Sequence, residues 1–201
     1  LFIGYFQIKK YGQEILEEGP NWHQAKAGTP TMGGTVFLIA IIISALWVAV
    51  WQQALTPALW ISLFILLVYG GLGFLDDFIK IFRKRNMGLN SKQKLIGQII
   101  GGIIFYAVLV SEGATNTVNV FGYDLHLSFL YGLFVIVWLV GFSNAVNLTD
   151  GIDGLVSGLG AISFATYAII AWNQQQYDIL ILCLSVVGAL IGFFGYNHKP
   201  A

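Results

Sequence analysis

Six long apolar runs separated by short polar stretches make up most of this chain. They lie at about Thr31 to Trp51, Ala58 to Leu75, Leu95 to Val110, Leu127 to Val146, Leu155 to Trp172 and Ile179 to Tyr196. A bilayer core about 30 Å thick needs roughly 20 apolar helical residues per crossing, and each run approaches that length. None carries the polar outer stripe that a helix in a soluble core presents to water. The pattern predicts an all-α polytopic membrane protein, a helical bundle forming one integral membrane domain over residues 1–201. Between the third and fourth runs, Thr117 to Leu127 alternates apolar and polar residues about Gly122, the pattern of a short β-hairpin outside the membrane. Leu1 to Ile8 reads as the tail of an earlier span. With no methionine at position 1 and an abrupt stop at Ala201, the chain is expected to be a fragment at both ends.

Composition agrees: 57% of the residues are hydrophobic, 10% are charged and the mean hydropathy is +0.74, too apolar for a soluble domain of 201 residues. The net charge of zero conceals an asymmetry. If the chain alternates sides, Lys9, Lys10, Lys26, Lys80, Arg83, Lys84, Arg85, Lys92, Lys94 and Lys199 all fall on one side. The opposite loops hold Glu112, Asp124 and Asp178 instead. By the positive-inside rule the basic side faces the cytoplasm, and one missed or invented span would scatter the positive charges. The single cysteine, Cys183, lies within the last run, so an internal disulfide and a cysteine-based metal cluster are both excluded.

Candidate chemistry gathers on the basic side. Leu75-Asp76-Asp77-Phe78-Ile79-Lys80 closes the second run with two adjacent carboxylates and a lysine, and ionisable groups at a span edge are either interfacial or kept for a task. Neighbouring helical residues point about 100° apart, so the two aspartates are expected to do separate jobs. Asp76 and Lys80 stand i,i+4 in the favourable order, and pairing with Lys80, Arg83 or Lys84 is the simplest structural reading. Lys80 to Lys94 reads as a basic loop with a turn at Asn86-Met87-Gly88. The fourth run ends in Asn144-Ala145-Val146-Asn147-Leu148-Thr149-Asp150-Gly151-Ile152-Asp153-Gly154-Leu155. Its glycines expose backbone N–H groups, and its Asn and Asp side chains offer acceptors to sugar and base. Gly28-Thr29-Pro30-Thr31-Met32-Gly33-Gly34 suits a helix start, His126 reads as structural, and the last run closes on Asn197-His198-Lys199-Pro200-Ala201.

These phrases, in this order, resemble the phospho-MurNAc-pentapeptide transferase (MraY) family, within the polyprenyl-phosphate N-acetylhexosamine-1-phosphate transferases. The Thr29-Pro30-Thr31-Met32-Gly33-Gly34 and Thr149-Asp150-Gly151 forms favour that family over relatives using UDP-GlcNAc. The resemblance implies transfer of phospho-MurNAc-pentapeptide from UDP-MurNAc-pentapeptide to undecaprenyl phosphate, with Mg2+, giving lipid I and UMP in peptidoglycan synthesis at the bacterial plasma membrane. It implies Asp76 and Asp77 as catalytic residues. Lys26, Thr31, Lys80, Lys94, Asn147, Asp150, Gly151, Asp153 and Asn197 become substrate-binding residues, and Asp76, Asp77 and Asp150 Mg2+ ligands. Of the two catalytic residues, Asp76 is expected to stand nearest the lipid phosphate. A phosphate monoester with a second pKa of about 6 needs little deprotonation, so positioning and charge management are the work expected of Asp76. Membrane lipid and a second copy of the chain are further expected partners, and nucleic acid is not one. The family's main Mg2+ aspartate and a histidine-rich loop would fall beyond Ala201, so residues 1–201 alone are expected to be inactive. The competing readings are a GlcNAc-1-phosphate transferase of teichoic acid or another surface glycan, a transporter, and a non-catalytic membrane scaffold. A transporter usually carries ionisable groups at mid-membrane, whereas the Asp and Glu residues here fall outside the cores of the six runs.

Overall fold

The computed structural model describes residues 33–83 and 88–197. Among the described residues six helices form: α1 (Gly33–Trp51), α2 (Pro57–Arg83), α3 (Ser91–Ser111), α4 (Leu130–Thr149), α5 (Leu155–Asn173) and α6 (Tyr177–Asn197). All six are long and apolar enough to cross a membrane. The expected span at Leu1 to Ile8 and the turn at Asn86-Met87 lie outside the described residues.

Between α3 and α4 the chain forms the expected hairpin, β1 (Thr117–Val120) and β2 (Tyr123–His126), paired antiparallel from Thr117↔His126 to Val120↔Tyr123. The two-residue loop Phe121-Gly122 takes φ values of 50° and 89°, the pair of positive angles that a type I′ turn requires. Asn119 secures it by accepting the Gly122 N–H at 3.0 Å and donating its amide to Asp124 at 2.7 Å.

Three boundaries differ from the apolar pattern, each for a local reason. Helix α2 continues two turns beyond Leu75, to Arg83, because Asp76 and Asp77 both pair with Lys80 within the helix. The carboxylates therefore lie inside the second helix rather than at its end. Helix α3 begins at Ser91, four residues early, where the Gln93 side chain accepts the Asn90 N–H at 2.9 Å, half of a capping box. Lys80, Lys92 and Lys94 thus stand on helices rather than in a loop. Helix α4 starts at Leu130 and runs on through Asn147 to Thr149, leaving Asp150 to Gly154 as the turn.

Contacts between helix ends fix the direction of the bundle. The start of α2 meets the start of α6 through Thr56 and Asp178, the end of α2 meets the start of α3 through Asp76 and Lys94, and the end of α6 meets the start of α1 where Phe193 packs on Gly33. Consecutive helices therefore alternate in direction. The basic residues Lys80, Lys92 and Lys94 share one end with the Asp150–Gly154 turn, while Glu112, Asp124 and Asp178 lie at the other. Helices α1, α2 and α6 enclose the best-buried core: Ala45, Ala49, Leu59, Leu63 and Ile181, with Ile41, Val186 and Leu190 beside it. Large apolar side chains elsewhere, such as Trp47, Phe82, Leu133 and Trp172, stand on the outer surface, as lipid contact allows and water would not. Helix α3 approaches α2 closely at Gly97 and Gly101, where an added Cβ would come within 2.7 Å of Leu72 and Val68.

At the acidic end, the Thr56 hydroxyl caps α2 by accepting the Leu59 N–H at 3.2 Å and donates to the Asp178 carboxylate in the first turn of α6. One side chain thereby closes one helix start and ties it to another. Thr56→Val is expected to lower stability by about 1–2 kcal/mol and Thr56→Ser by far less, measured by thermal unfolding in detergent. An equal loss for both variants would show that the hydroxyl has no such part.

Candidate active site at the basic end of the bundle

Asp76 is the most buried acidic residue described, with 5% of its surface exposed. A carboxylate taken out of water survives as an ion only when its oxygens are met by donors or cations. Here they are met from two helices and the connection between them. Oδ2 lies 2.8 Å from the Lys80 ammonium, one turn on in α2, and 3.0 Å from the Lys94 ammonium on α3. Oδ1 accepts the Leu89 backbone N–H at 2.8 Å. Gly88 makes that approach possible: a Cβ there would sit 2.6 Å from the Asp76 carbonyl oxygen and closer still to Oδ1.

Asp77 points elsewhere, as its position in the helix dictates. Its side chain is 40% exposed, and Oδ1 lies 3.1 Å from the same Lys80 ammonium. Lys80 therefore bridges both carboxylates, and the two aspartates hold different stations: one buried and fully engaged, the other open to the aqueous side. The ammoniums keep open faces too, with side-chain exposures of 39% for Lys80 and 29% for Lys94. Asp76 thus holds two ammoniums, one of them shared with Asp77, and both keep open faces at the basic end of the bundle.

The second group of candidates sits on α4 and the turn that follows. Asn147 is exposed on the last turns of α4; Asp150 and Gly151 are exposed, and Asp153 is half-buried. Buried Gly154 takes φ 78° to start α5, a left-handed angle that glycine adopts without strain. Its carbonyl then receives the Gly158 N–H at 2.9 Å and the Ser157 hydroxyl at 3.1 Å. Among the described residues no group of three His, Cys, Asp or Glu side chains could hold a metal ion. Asp76, Asp77 and Asp150 therefore do not form a three-carboxylate centre by themselves. Lys26 and Thr31 lie outside the described residues; Asn197 ends α6 at the basic end, its side chain undescribed.

Sequence reasoning missed the polar links behind these groups. Gln98, 7% exposed on α3, donates from Nε2 to the Ser143 hydroxyl at 3.1 Å and accepts the Asn144 amide at 2.8 Å. The Tyr69 hydroxyl of α2 donates to the Gln98 carbonyl at 2.9 Å. The signal was a lone glutamine inside an apolar run, one turn beyond Lys94 on the same face. Gly88 was read only as part of a turn, whereas its missing side chain is what admits the Asp76 carboxylate.

Gly88→Ala is expected to push Leu89 away from Asp76, costing about 1–3 kcal/mol in thermal unfolding, typical of overpacking. An unchanged melting temperature would mean that the connection yields freely and that Asp76 does not depend on it.

Comparison with known proteins bears on these groups directly. Residues 59–201 match the model for glycosyl transferase family 4, and residues 26–38 match phospho-N-acetylmuramoyl-pentapeptide-transferase signature 1. The chain is 71% identical over 202 residues to the phospho-N-acetylmuramoyl-pentapeptide-transferase of Enterococcus hirae, 65% identical over 202 residues to that of Enterococcus faecalis and 59% identical over 203 residues to that of Latilactobacillus sakei. Each match covers 100% of this chain and 63% of the relative, so the chain spans less than two thirds of those proteins' length. The family model takes in the carboxylate cluster, the buried glutamine and the α4–α5 turn, and on that match the chain belongs to glycosyl transferase family 4.

Proposed function

We propose that this chain carries part of the active site of a phospho-N-acetylmuramoyl-pentapeptide transferase. It would move phospho-MurNAc-pentapeptide from its UDP carrier to undecaprenyl phosphate, releasing UMP and lipid I, at the cytoplasmic face of a bacterial plasma membrane. The observation that carries the reading is the Asp76–Lys80–Lys94 cluster, two ammoniums locked by one buried carboxylate at the basic end of a membrane bundle. The relatives' names supply the reaction, and the lack of described Lys or Arg at the opposite end supports the orientation. A transfer between a water-soluble nucleotide and a membrane lipid needs its site at this boundary, and both candidate groups lie there.

Roles follow from the contacts. Lys80 and Lys94 offer their open faces to phosphate oxygens. Asp76 holds the two ammoniums at fixed positions, with both oxygens already engaged, so its work is placement of charge rather than removal of a proton. The acceptor supports this division, because a phosphate monoester with a second pKa of about 6 is mostly a dianion at neutral pH and is nucleophilic without a base. The turn after α4 would take the donor, with Asn147, Asp150, Gly151 and Asp153 meeting its nucleoside and pyrophosphate, and Lys26, Thr31 and Asn197 completing that pocket.

The residues present fit Mg2+ unevenly. Hard divalent cations take oxygen ligands, and Asp77 offers an exposed carboxylate with Lys80 on Oδ1 alone at 3.1 Å, whereas Asp76 is crowded by two ammoniums at 2.8 and 3.0 Å. Asp77 is therefore the ligand this part of the chain contributes, rather than Asp76. When bound, Mg2+ offsets the charge of the donor pyrophosphate and stabilises the departing nucleotide.

The test uses the full-length protein in detergent with undecaprenyl phosphate and Mg2+, following UMP release from UDP-MurNAc-pentapeptide and from UDP-GlcNAc. Release from the muramyl donor alone, reduced about 100-fold or more by Asp76→Asn, is the expected result. Release from UDP-GlcNAc alone would transfer the chemistry to a sibling pathway, and no release from either donor by folded protein would sink the enzymatic reading.

A further inference from the structure

We propose that Gln98 is a positioning residue: its side-chain amide sets the depth and rotation of the basic end of α4 against α3. It thereby sets the register between the α4–α5 turn and the Asp76–Lys80–Lys94 cluster. The inference rests on the transfer reading above, which gives those two groups opposite halves of one reaction.

Three observations carry it. First, Gln98 stands one helical turn from Lys94 on the same face of α3, so one face of this helix reaches the carboxylate cluster and, a turn further in, α4. Second, both ends of the amide are used across the α3–α4 boundary. Nε2 donates to the Ser143 hydroxyl at 3.1 Å and Oε1 accepts from Asn144 Nδ2 at 2.8 Å, while that same Nδ2 also donates to the Val140 carbonyl at 2.8 Å. A two-point amide contact between adjacent positions of α4 resists both sliding and rolling, which apolar side chains of the same size would not. Third, α4 packs extensively on α3 and only slightly on α5, so its placement reaches the rest of the bundle mainly through α3. The Tyr69 hydroxyl on the Gln98 carbonyl extends the link to α2, two turns from Asp76.

Asn144 opens the phrase that ends in Gly154, and Asn147 follows it by less than one turn. A shift of α4 at Asn144 is therefore carried directly to the residues assigned to the donor. Reacting groups displaced by about 1 Å can lose on the order of 100-fold in rate while each substrate still binds its own half. A residue with this role should affect turnover more than affinity, whereas a merely structural one should affect the amount of folded protein.

The experiment compares the full-length wild type with Gln98→Met, which keeps length and apolar volume but removes both amide bonds. Turnover is read as UMP release per folded molecule, and donor affinity as binding of UDP-MurNAc-pentapeptide without lipid acceptor. In a cysteine-free background, the distance between spin labels at Lys92 on α3 and Leu148 on α4 is read by pulsed EPR. Expected are a fall in kcat of at least about tenfold, a donor Kd within about threefold of wild type, and a broadened or displaced distance distribution. If Gln98→Met does not fold, Ser143→Ala, which removes one acceptor only, carries the same test with an expected fall of about threefold. A kcat within about twofold of wild type, or an unaltered distance distribution, would overturn the inference while leaving the transfer reading intact. Absence of UMP release from the wild type would overturn both.

Discussion

A buried carboxylate must be neutralised where it stands, and in this chain that requirement joins three segments into one site. Asp76 sits two turns before the end of α2 with almost no exposure, and it draws in Lys80 from its own helix, Lys94 from α3 and the Leu89 N–H from the connection between them. Removing one partner of a buried ion pair commonly costs about 3–5 kcal/mol, because the other charge is left uncompensated. The cost rises where water is scarce, as at a membrane boundary. The α2–α3 connection is therefore shaped by Asp76, and Gly88 is the residue small enough to let it approach. The same interaction that organises the fold here also fixes two cations with open faces, so structure and chemistry share one constraint.

The two adjacent aspartates show how helix geometry divides labour. About 100° of rotation sends Asp76 into the protein and Asp77 toward the aqueous side, and Lys80 still reaches both. A buried anion that holds two cations and an exposed anion that shares one of them are different devices built from the same dipeptide. At the far end of the bundle the Thr56–Asp178 link plays a simpler part, holding the starts of α2 and α6 together so that their opposite ends are presented from a fixed frame.

Much of this was legible in the sequence. Six apolar runs became six helices, the alternating stretch around Gly122 became a hairpin, and the i,i+4 spacing of Asp76 and Lys80 became an ion pair. Helix ends near the candidate site were less legible, because hydropathy falls where charge appears while the hydrogen-bonded helix continues. Asp76, Asp77 and Lys80 satisfy one another within α2, and Asn144 and Asn147 stay helical in α4 because Asn144 finds partners at Gln98 and Val140. Pairing across helices was not legible at all. Apart from the substrate role that the resemblance implied, Lys94 was one positive charge in a basic loop, and Gln98 carried no reading at all, since nothing local says which neighbour a side chain meets.

Asp76 holds the end of α2 to the start of α3. Hydrogen exchange of the full-length protein in detergent tests it most directly, comparing wild type with Asp76→Ala. Amides from Leu89 to Gln98 are expected to exchange at least about tenfold faster in the variant, while those of the α1–α6 core keep their protection. Unchanged protection from Leu89 to Gln98 would contradict it, and would show that the two helices are held together by their apolar surfaces alone.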